Sequence, residues 1–331
     1  MYLERFILPI DQEELMIEKR IHHNGGPNFG YIDNVYPCRL FSEKMLREIN
    51  FDTITILYGG NGSGKSTLLN LIANKLELKR IAPFNSSELF TEYTEKCKYE
   101  MAFDEEGFKH KIPDKSRIIT SDDVFDYMLT VRSNNSEIAD NIDDVKKEWA
   151  DLRFGETVKF NGMEDYEAMR LQLLARRKTV SRKQFVKKAI GEEVKLNSNG
   201  ETALEYFDSN MDNDALYCLD EPENSLSPKL QLKLVEMIQQ MARYCGCQFV
   251  IATHSPFILS LPSARIYDLD ETPVDIKKWW ELENPRLYFD FFNKNRRFFE
   301  KDYYHIPFCQ KFLLTFYIKH FTNSQNRIYY K

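Results

Sequence analysis

Apolar positions along the chain follow two rhythms. Thr53-Ile54-Thr55-Ile56-Leu57-Tyr58 is rich in β-branched residues and runs into glycines, which predicts a buried strand. Directly after Gly59-Gly60-Asn61-Gly62-Ser63-Gly64, the segment Lys65–Leu76 places Leu68, Leu69, Leu71, Ile72 and Leu76 on one helical stripe. Strand, glycine-rich loop and helix therefore follow in that order. Further on, Ala215–Leu219 and Cys247–Ala252 are short apolar runs flanking a helical stretch from Pro228 to Tyr244. This predicts a β–α–β unit with parallel strands and a right-handed crossover. Residues 1–50 mix extended stretches with turn signals at Asn24-Gly25-Gly26-Pro27-Asn28 and Tyr36-Pro37, and predict a small antiparallel sheet. Between Cys97 and Thr120 short strands are expected, with Asp104-Glu105-Glu106-Gly107 as a turn between Met101-Ala102-Phe103 and Phe108–Ile112. From Ser121 to about Lys195 the text is helical: Val124, Phe125, Met128 and Leu129 share one face, and Tyr166–Lys188 contains neither Gly nor Pro. The sequence carries no internal repeat and no low-complexity tract.

Composition narrows the class. With 331 residues and 43% hydrophobic residues, the chain can bury a sizeable core as one large or two small domains, and disorder as a whole is excluded. A net charge of −6 argues against a chain-wide polyanion surface, so any nucleic-acid contact needs a local patch. The segment Arg176–Lys188 offers one, with Arg176, Arg177, Lys178, Arg182, Lys183, Lys187 and Lys188. It reads either as a solvated helix face or as a contact for nucleic acid or an acidic partner. Aromatics make up 14% of the chain and gather near the end, at Trp279, Trp280, Tyr288, Phe289, Phe291, Phe292, Phe298, Phe299, Tyr303 and Tyr304. They suit either packing on the rest of the chain or docking of another subunit. The six cysteines form no CxxC pair and read as reduced thiols of a cytoplasmic protein. No stretch reaches the roughly 20 apolar residues that span a bilayer, and no secretory core follows Met1.

Candidate chemistry sits at strand ends. Gly59-x4-Gly64-Lys65-Ser66 fits the phosphate-binding pattern G-x-x-x-x-G-K-[ST] in its required strand-to-helix context. Gly59, Gly60, Asn61, Gly62, Ser63, Gly64, Lys65, Ser66 and Thr67 would form the cradle, its backbone amides and helix N-terminus facing phosphate oxygens. Lys65 would neutralise the β- and γ-phosphates, and the Ser66 hydroxyl would ligate Mg²⁺. The strand Leu216–Leu219 ends in Asp220-Glu221, which suits Asp220 as a metal ligand and Glu221 as the group that polarises the attacking water. No Asn-Lys-x-Asp motif for reading guanine is present. His254, in Thr253-His254-Ser255-Pro256 after the next strand, is placed to contact a γ-phosphate and the attacking water. Ser198 and the Gly200 backbone, in Ser198-Asn199-Gly200-Glu201, are candidates to cap the γ-phosphate of a nucleotide held by a second subunit, at the start of a helix near Glu201. There is no HExxH, no nuclease-type acid cluster and no reactive Cys with its own His.

Together these four elements resemble the ABC-class ATPases, over most of residues 1–270. The likeness is to their soluble branch: chromosome-maintenance and DNA-repair ATPases, overcoming-lysogenization-defect nucleases and the AAA-family ATPases of bacterial anti-phage defence. Gly59–Thr67 is similar to the family's Walker A loop, Leu216–Glu221 to Walker B, Ser198–Glu201 to the signature and Thr253–Pro256 to the switch-histidine loop. Asp220–Pro228 looks like the Walker B and D-loop text of the soluble branch. Two departures carry information. The Ser-x-Gly-Glu form at Ser198–Glu201 differs from the Leu-Ser-Gly-Gly-Gln of transporters. No glutamine occupies the Q-loop position at Arg117–Asp122, where Ser121 or Asp122 is the stand-in.

The resemblance implies an α/β P-loop NTPase of ABC type with an antiparallel β subdomain and a helical insertion. Its parts would be an ATPase lobe over 1–121 with Walker A, the insertion over 122–195, the second part of the lobe over 196–275, and an aromatic-rich extension over 276–331. It implies ATP and Mg²⁺ as ligands, a homodimer that sandwiches two nucleotides, and a partner effector or nucleic acid served by hydrolysis in phage defence or DNA repair. The nucleotide-binding subunit of a transporter is the alternative.

Overall fold

The structure is a computed structural model. It describes residues 1–23, 36–84, 87–104, 106–156, 165–177, 181, 184–186 and 198–302. The chain divides into two compact units, Met1–Lys277 and Lys278–Lys331.

The first unit is built on a six-stranded sheet of order β5-β6-β7-β3-β8-β9. Its strands are β3 (Ile54–Tyr58), β5 (Arg117–Thr120), β6 (Leu216–Asp220), β7 (Gln248–Thr253), β8 (Arg265–Asp268) and β9 (Asp275–Lys277). All neighbours are parallel except β8 and β9. Every residue of β3 and β7 is buried, as continuous apolar text requires of a parallel sheet covered on both faces. Helix α2 (Lys65–Lys75) packs on the sheet through Leu68, Leu69, Leu71 and Ile72, none of which reaches solvent. Burying each contributes about 1.5–3 kcal/mol. The β–α–β expectation holds: β6 and β7 are parallel neighbours joined by α7 (Pro228–Tyr244), whose Leu234, Val235, Ile238 and Met241 are buried.

Within the N-terminal fifty residues β1 (Leu3–Ile7) and β2 (Glu48–Asn50) pair antiparallel as expected, but a helix the sequence reading did not contain, α1 (Asp11–His23), lies between them. The three-stranded antiparallel sheet β2-β1-β4 is completed by β4 (Lys98–Met101), beyond α3 (Glu88–Lys96). The buried face of α1 carries Glu14, Ile17 and Glu18, so its stripe is acidic rather than apolar. Both acids have partners. Glu14 accepts from Tyr93 Oη (3.0 Å), Ser42 Oγ (2.7 Å) and the Arg39 amide (3.1 Å), and Glu18 accepts twice from the Arg39 guanidinium (2.6 and 2.8 Å). This network ties α1 and α3 to the loop 36–45. The turn signal at Asn24–Asn28 lies outside the described residues.

The inserted segment begins with α4 (Ser121–Phe154) and α5 (Tyr166–Arg176). On α4, Val124 and Met128 are buried while Phe125 and Leu129 are exposed, so the packed stripe is narrower than the sequence predicts. Residue 177 already has extended backbone, which ends α5 earlier than an uninterrupted helix to Lys188 would. The second unit contains α8 (Glu283–Lys294) and α9 (Arg296–Asp302), with Trp280, Tyr288, Phe289, Phe291, Phe292, Phe298 and Phe299 exposed; Tyr303 and Tyr304 lie outside the described residues. Among the described residues no helix is long and apolar enough to cross a membrane. Cys38, Cys97, Cys218, Cys245 and Cys247 are free thiols, and burial pushes Cys38 and Cys97 up to about 12; Cys309 lies outside the described residues.

Candidate phosphate site at the strand ends

Strand register sets the site. Tyr58 of β3 pairs with Thr253 of β7, and Ala252 of β7 pairs with Asp220 of β6. The three parallel strands therefore end together, and Gly59, Glu221 and His254 leave the sheet at one edge, where open α/β sheets place ligand sites.

The loop after β3 turns into α2 through Gly64, whose φ of 99° lies in the left-handed region that a side chain disfavours. A Cβ there would stand 3.2 Å from both Leu40 and Phe41, which the loop 36–45 lays against it. The same loop reaches α2 through a hydrogen bond between Tyr36 and Thr67 hydroxyls. On the other side the Gly60 amide donates to Asp270 (2.7 Å), which follows β8.

Lys65 is buried, with only 4% of its side chain exposed, and its ammonium is accounted for. Nζ donates to the carbonyls of Gly59 (2.8 Å) and Gly60 (2.9 Å) and lies 3.7 Å from Glu221 Oε1. Ser66 Oγ donates to Asp220 Oδ1 at 2.8 Å, which joins the first turn of α2 to the end of β6. Burial pushes the Asp220 carboxyl up to about 6, and the Ser66 hydrogen bond works against that shift. A hydroxyl and a carboxylate in contact beside a glycine-rich loop are hard oxygen donors of the kind Mg²⁺ takes. The residues present thus fit both phosphate and magnesium.

Glu221 has φ 46°, a left-handed conformation that costs a non-glycine residue about 1–2 kcal/mol. The turn is held by Glu221 N donating to Ala252 O (2.9 Å), and Asn224 Nδ2 donates to Glu221 Oε2 (3.0 Å). His254 Nδ1 lies 3.9 Å from Glu221 Oε1. Lys65, Ser66, Asp220, Glu221 and His254 are thus gathered in one place.

Ser198 and Gly200 have a separate set of partners. Ser198 caps α6 (Asn199–Asn210) in a reciprocal box with Glu201, whose carboxyl is held low by the Ser198 amide and hydroxyl. A Cβ on Gly200 would meet Leu230 of α7 at 2.5 Å. At the Q-loop position Asp122 is exposed and Ser121 half-buried, whereas the neighbouring Asp123 is buried and engaged with Thr120 and the Ala82 amide. Of the basic segment, Arg176 and Arg177 are described, and Lys178, Arg182, Lys183, Lys187 and Lys188 are not. The Arg176 guanidinium donates to the carbonyls of Leu152 (3.2 Å) and Gly155 (2.7 Å), so it serves the end of α4.

The sequence reading missed Glu223. This acid sits in a polar turn and looks solvated in the sequence, yet 5% of its side chain is exposed. Its Oε1 accepts from Thr253 Oγ1 (2.6 Å), the His254 amide (2.9 Å) and the Ser255 amide (3.1 Å). Its nearness to Glu221 in the Asp220–Ser225 text was the available signal.

Several known proteins are similar. A post-hydrolysis dimeric ATP-binding cassette bound to ADP and Pi is 15% identical, with a TM-score of 0.32, over 70% of this chain and 88% of that one. The SMC head domain from Thermotoga maritima is 12% identical, with a TM-score of 0.36, over 84% and 99%. The Pyrococcus furiosus Smc head domain, bound to the C-terminal domain of ScpA, is 12% identical, with a TM-score of 0.36, over 75% and 95%. No curated protein sequence matches the chain. A family model described as AAA domain, putative AbiEii toxin, Type IV TA system matches residues 198–260. The model described as ABC transporter matches residues 44–224, more than half of the chain, from ahead of the glycine-rich loop to beyond the Asp220-Glu221 pair, and the chain belongs to the ABC family of P-loop ATPases.

Proposed function

We propose that the chain binds ATP with Mg²⁺ and hydrolyses it to ADP and phosphate. The observation that carries the reading is the gathering of Lys65, Ser66, Asp220, Glu221 and His254 at the shared end of β3, β6 and β7. The loop Gly59–Thr67 cradles the phosphates, and Lys65, already dehydrated, offsets charge that grows on the β–γ oxygens as the bond to Pγ breaks. Ser66 and Asp220 would hold Mg²⁺, which when bound screens phosphate charge. Glu221 accepts the proton of the water whose oxygen attacks Pγ, and His254 orients that water and the γ-phosphate. Lys65→Ala removes the buried cation and leaves Glu221 facing the phosphates unscreened. Its expected outcome is loss of nucleotide binding, read by calorimetric titration with ATP and Mg²⁺. Binding at wild-type affinity sinks the reading.

Ser198 and Gly200, outside this cluster, serve a second subunit's nucleotide, so that two chains close on two ATP molecules. The exposed start of α6 supports this through its helix dipole, which suits an anion, although its Ser198 and Glu201 amides are engaged in the capping box. The work done by closure and opening is assigned to a partner effector or nucleic acid in anti-phage defence or DNA repair. The match of residues 198–260 to a family described as a putative toxin supports that side, as does the Ser-x-Gly-Glu text at Ser198–Glu201. The transport reading has the larger family match in its favour. Gene neighbourhood separates the two: a nuclease, reverse transcriptase or toxin beside the gene favours the first, a multi-span permease the second. Any nucleic-acid contact would run through the basic segment Arg176–Lys188, whose first residue also caps the end of α4.

A further inference from the structure

We propose that Glu223 is a positioning residue that fixes the tautomer and the orientation of His254, an inference that rests on the hydrolytic reading of the site. Three donors from Thr253, His254 and Ser255 converge on the single oxygen Oε1, so one buried carboxylate fastens the whole turn that follows β7. The turn is closed from its far side by Ser255 Oγ donating to Gln231 Oε1 at 2.7 Å. With its backbone held at both ends, the imidazole retains only its side-chain torsions.

The ring itself is poised between two carboxylates. His254 Nδ1 is 3.4 Å from Glu223 Oε1 and 3.9 Å from Glu221 Oε1, is shielded from solvent, and makes no hydrogen bond. Glu223 Oε2 is likewise buried with no hydrogen bond. An unprotonated Nδ1, itself covered from solvent and within 4 Å of two carboxylate oxygens, is repelled by both, so Nδ1 carries the proton. The side chain as a whole is 42% exposed, and since Nδ1 is covered that exposure belongs to the rest of the ring. A neutral ring protonated on Nδ1 keeps its lone pair on Nε2, and that nitrogen is the one left to accept a hydrogen bond from the attacking water. Glu223 thereby does for His254 what a carboxylate does for any imidazole whose two nitrogens have different tasks. Its charge favours the proton on one nitrogen so that the other acts as an acceptor.

The test separates holding the turn from setting the ring. Glu223→Gln keeps an oxygen for the three donors and removes the charge that Nδ1–H faces. Nitrogen-15 spectra of the nucleotide-free protein should show His254 protonated on Nδ1, with the balance moving toward Nε2–H in Glu223→Gln. In steady-state hydrolysis Glu223→Gln should lower kcat about tenfold while the KM for ATP stays within about twofold, and the loss should vanish in a His254→Ala background. Glu223→Asp, which keeps the charge, should recover part of kcat. A wild-type ring protonated on Nε2, ring signals indifferent to Glu223→Gln, or an equal kcat loss with His254 already removed would overturn the assignment. The spectra need no turnover, so a chain that fails to hydrolyse ATP contradicts the proposed function and leaves the tautomer test in force.

Discussion

Asp220 shows a conflict between stability and chemistry at the scale of one residue. Its carboxyl is pushed up to about 6 chiefly by burial. Below the ordinary aspartate range, folded and unfolded chains are both protonated there and the penalty is absent. As pH rises from about 4 to about 6 the unfolded chain gives up its proton first, so stability falls through that window, and above it the full cost of a buried charge remains. Asp220→Asn should therefore raise the melting temperature at pH 7.5, corresponding to roughly 1–3 kcal/mol, while the advantage closes by about pH 4 and Mg²⁺-dependent turnover is lost. A variant no more stable than wild type at pH 7.5 would show that the charge is compensated elsewhere. Glu221, strained at φ 46°, belongs to the same pattern of residues held in costly states where strands β6 and β7 end.

At the scale of elements, the parallel strands and α2 were legible because their cores are made of apolar residues at a regular period. Leu68 to Leu76 announced a helix, and the runs at β3, β6 and β7, apolar except for Thr55 and the end residues Asp220, Gln248 and Thr253, announced strands. Helix α1 was not legible, because its buried stripe is Glu14, Ile17 and Glu18 and acids read as solvent-facing unless their partners are known. Those partners, Arg39, Ser42 and Tyr93, lie 21 to 79 positions away in sequence, beyond any periodic signal. Glu223 escaped notice for the same reason, its three donors lying 30 to 32 positions on. The motif text named the glycine-rich loop, the acid pair and the histidine that the fold brings together, but not the carboxylate that fastens the histidine's turn. Helix α6 offers a direct check on its start: Ser198→Ala removes the hydroxyl that accepts from the Glu201 amide and should cost about 1 kcal/mol in urea denaturation. An unchanged midpoint would mean that Gly200 packing on Leu230, not the cap, sets where the helix begins.

For the molecule as a whole, one mostly parallel sheet brings residues nearly 200 positions apart, from Gly59 to His254, to a single edge. The long inserted helices leave between β5 and α6 without interrupting that edge. The candidate signature at Ser198–Glu201 has partners of its own, a capping box and Leu230; in the proposed sandwich a second chain would bring it to each site. Glu221→Gln should bind ATP without consuming it, and gel filtration should then show a nucleotide-dependent dimer; an elution volume unchanged by ATP counts against the sandwich. The central claim is narrower and is tested most directly by phosphate release from ATP with Mg²⁺, comparing wild type with Glu221→Gln at equal nucleotide occupancy. The account predicts turnover by wild type and a loss of about a hundredfold or more in the variant. Equal phosphate release by the two proteins would contradict it.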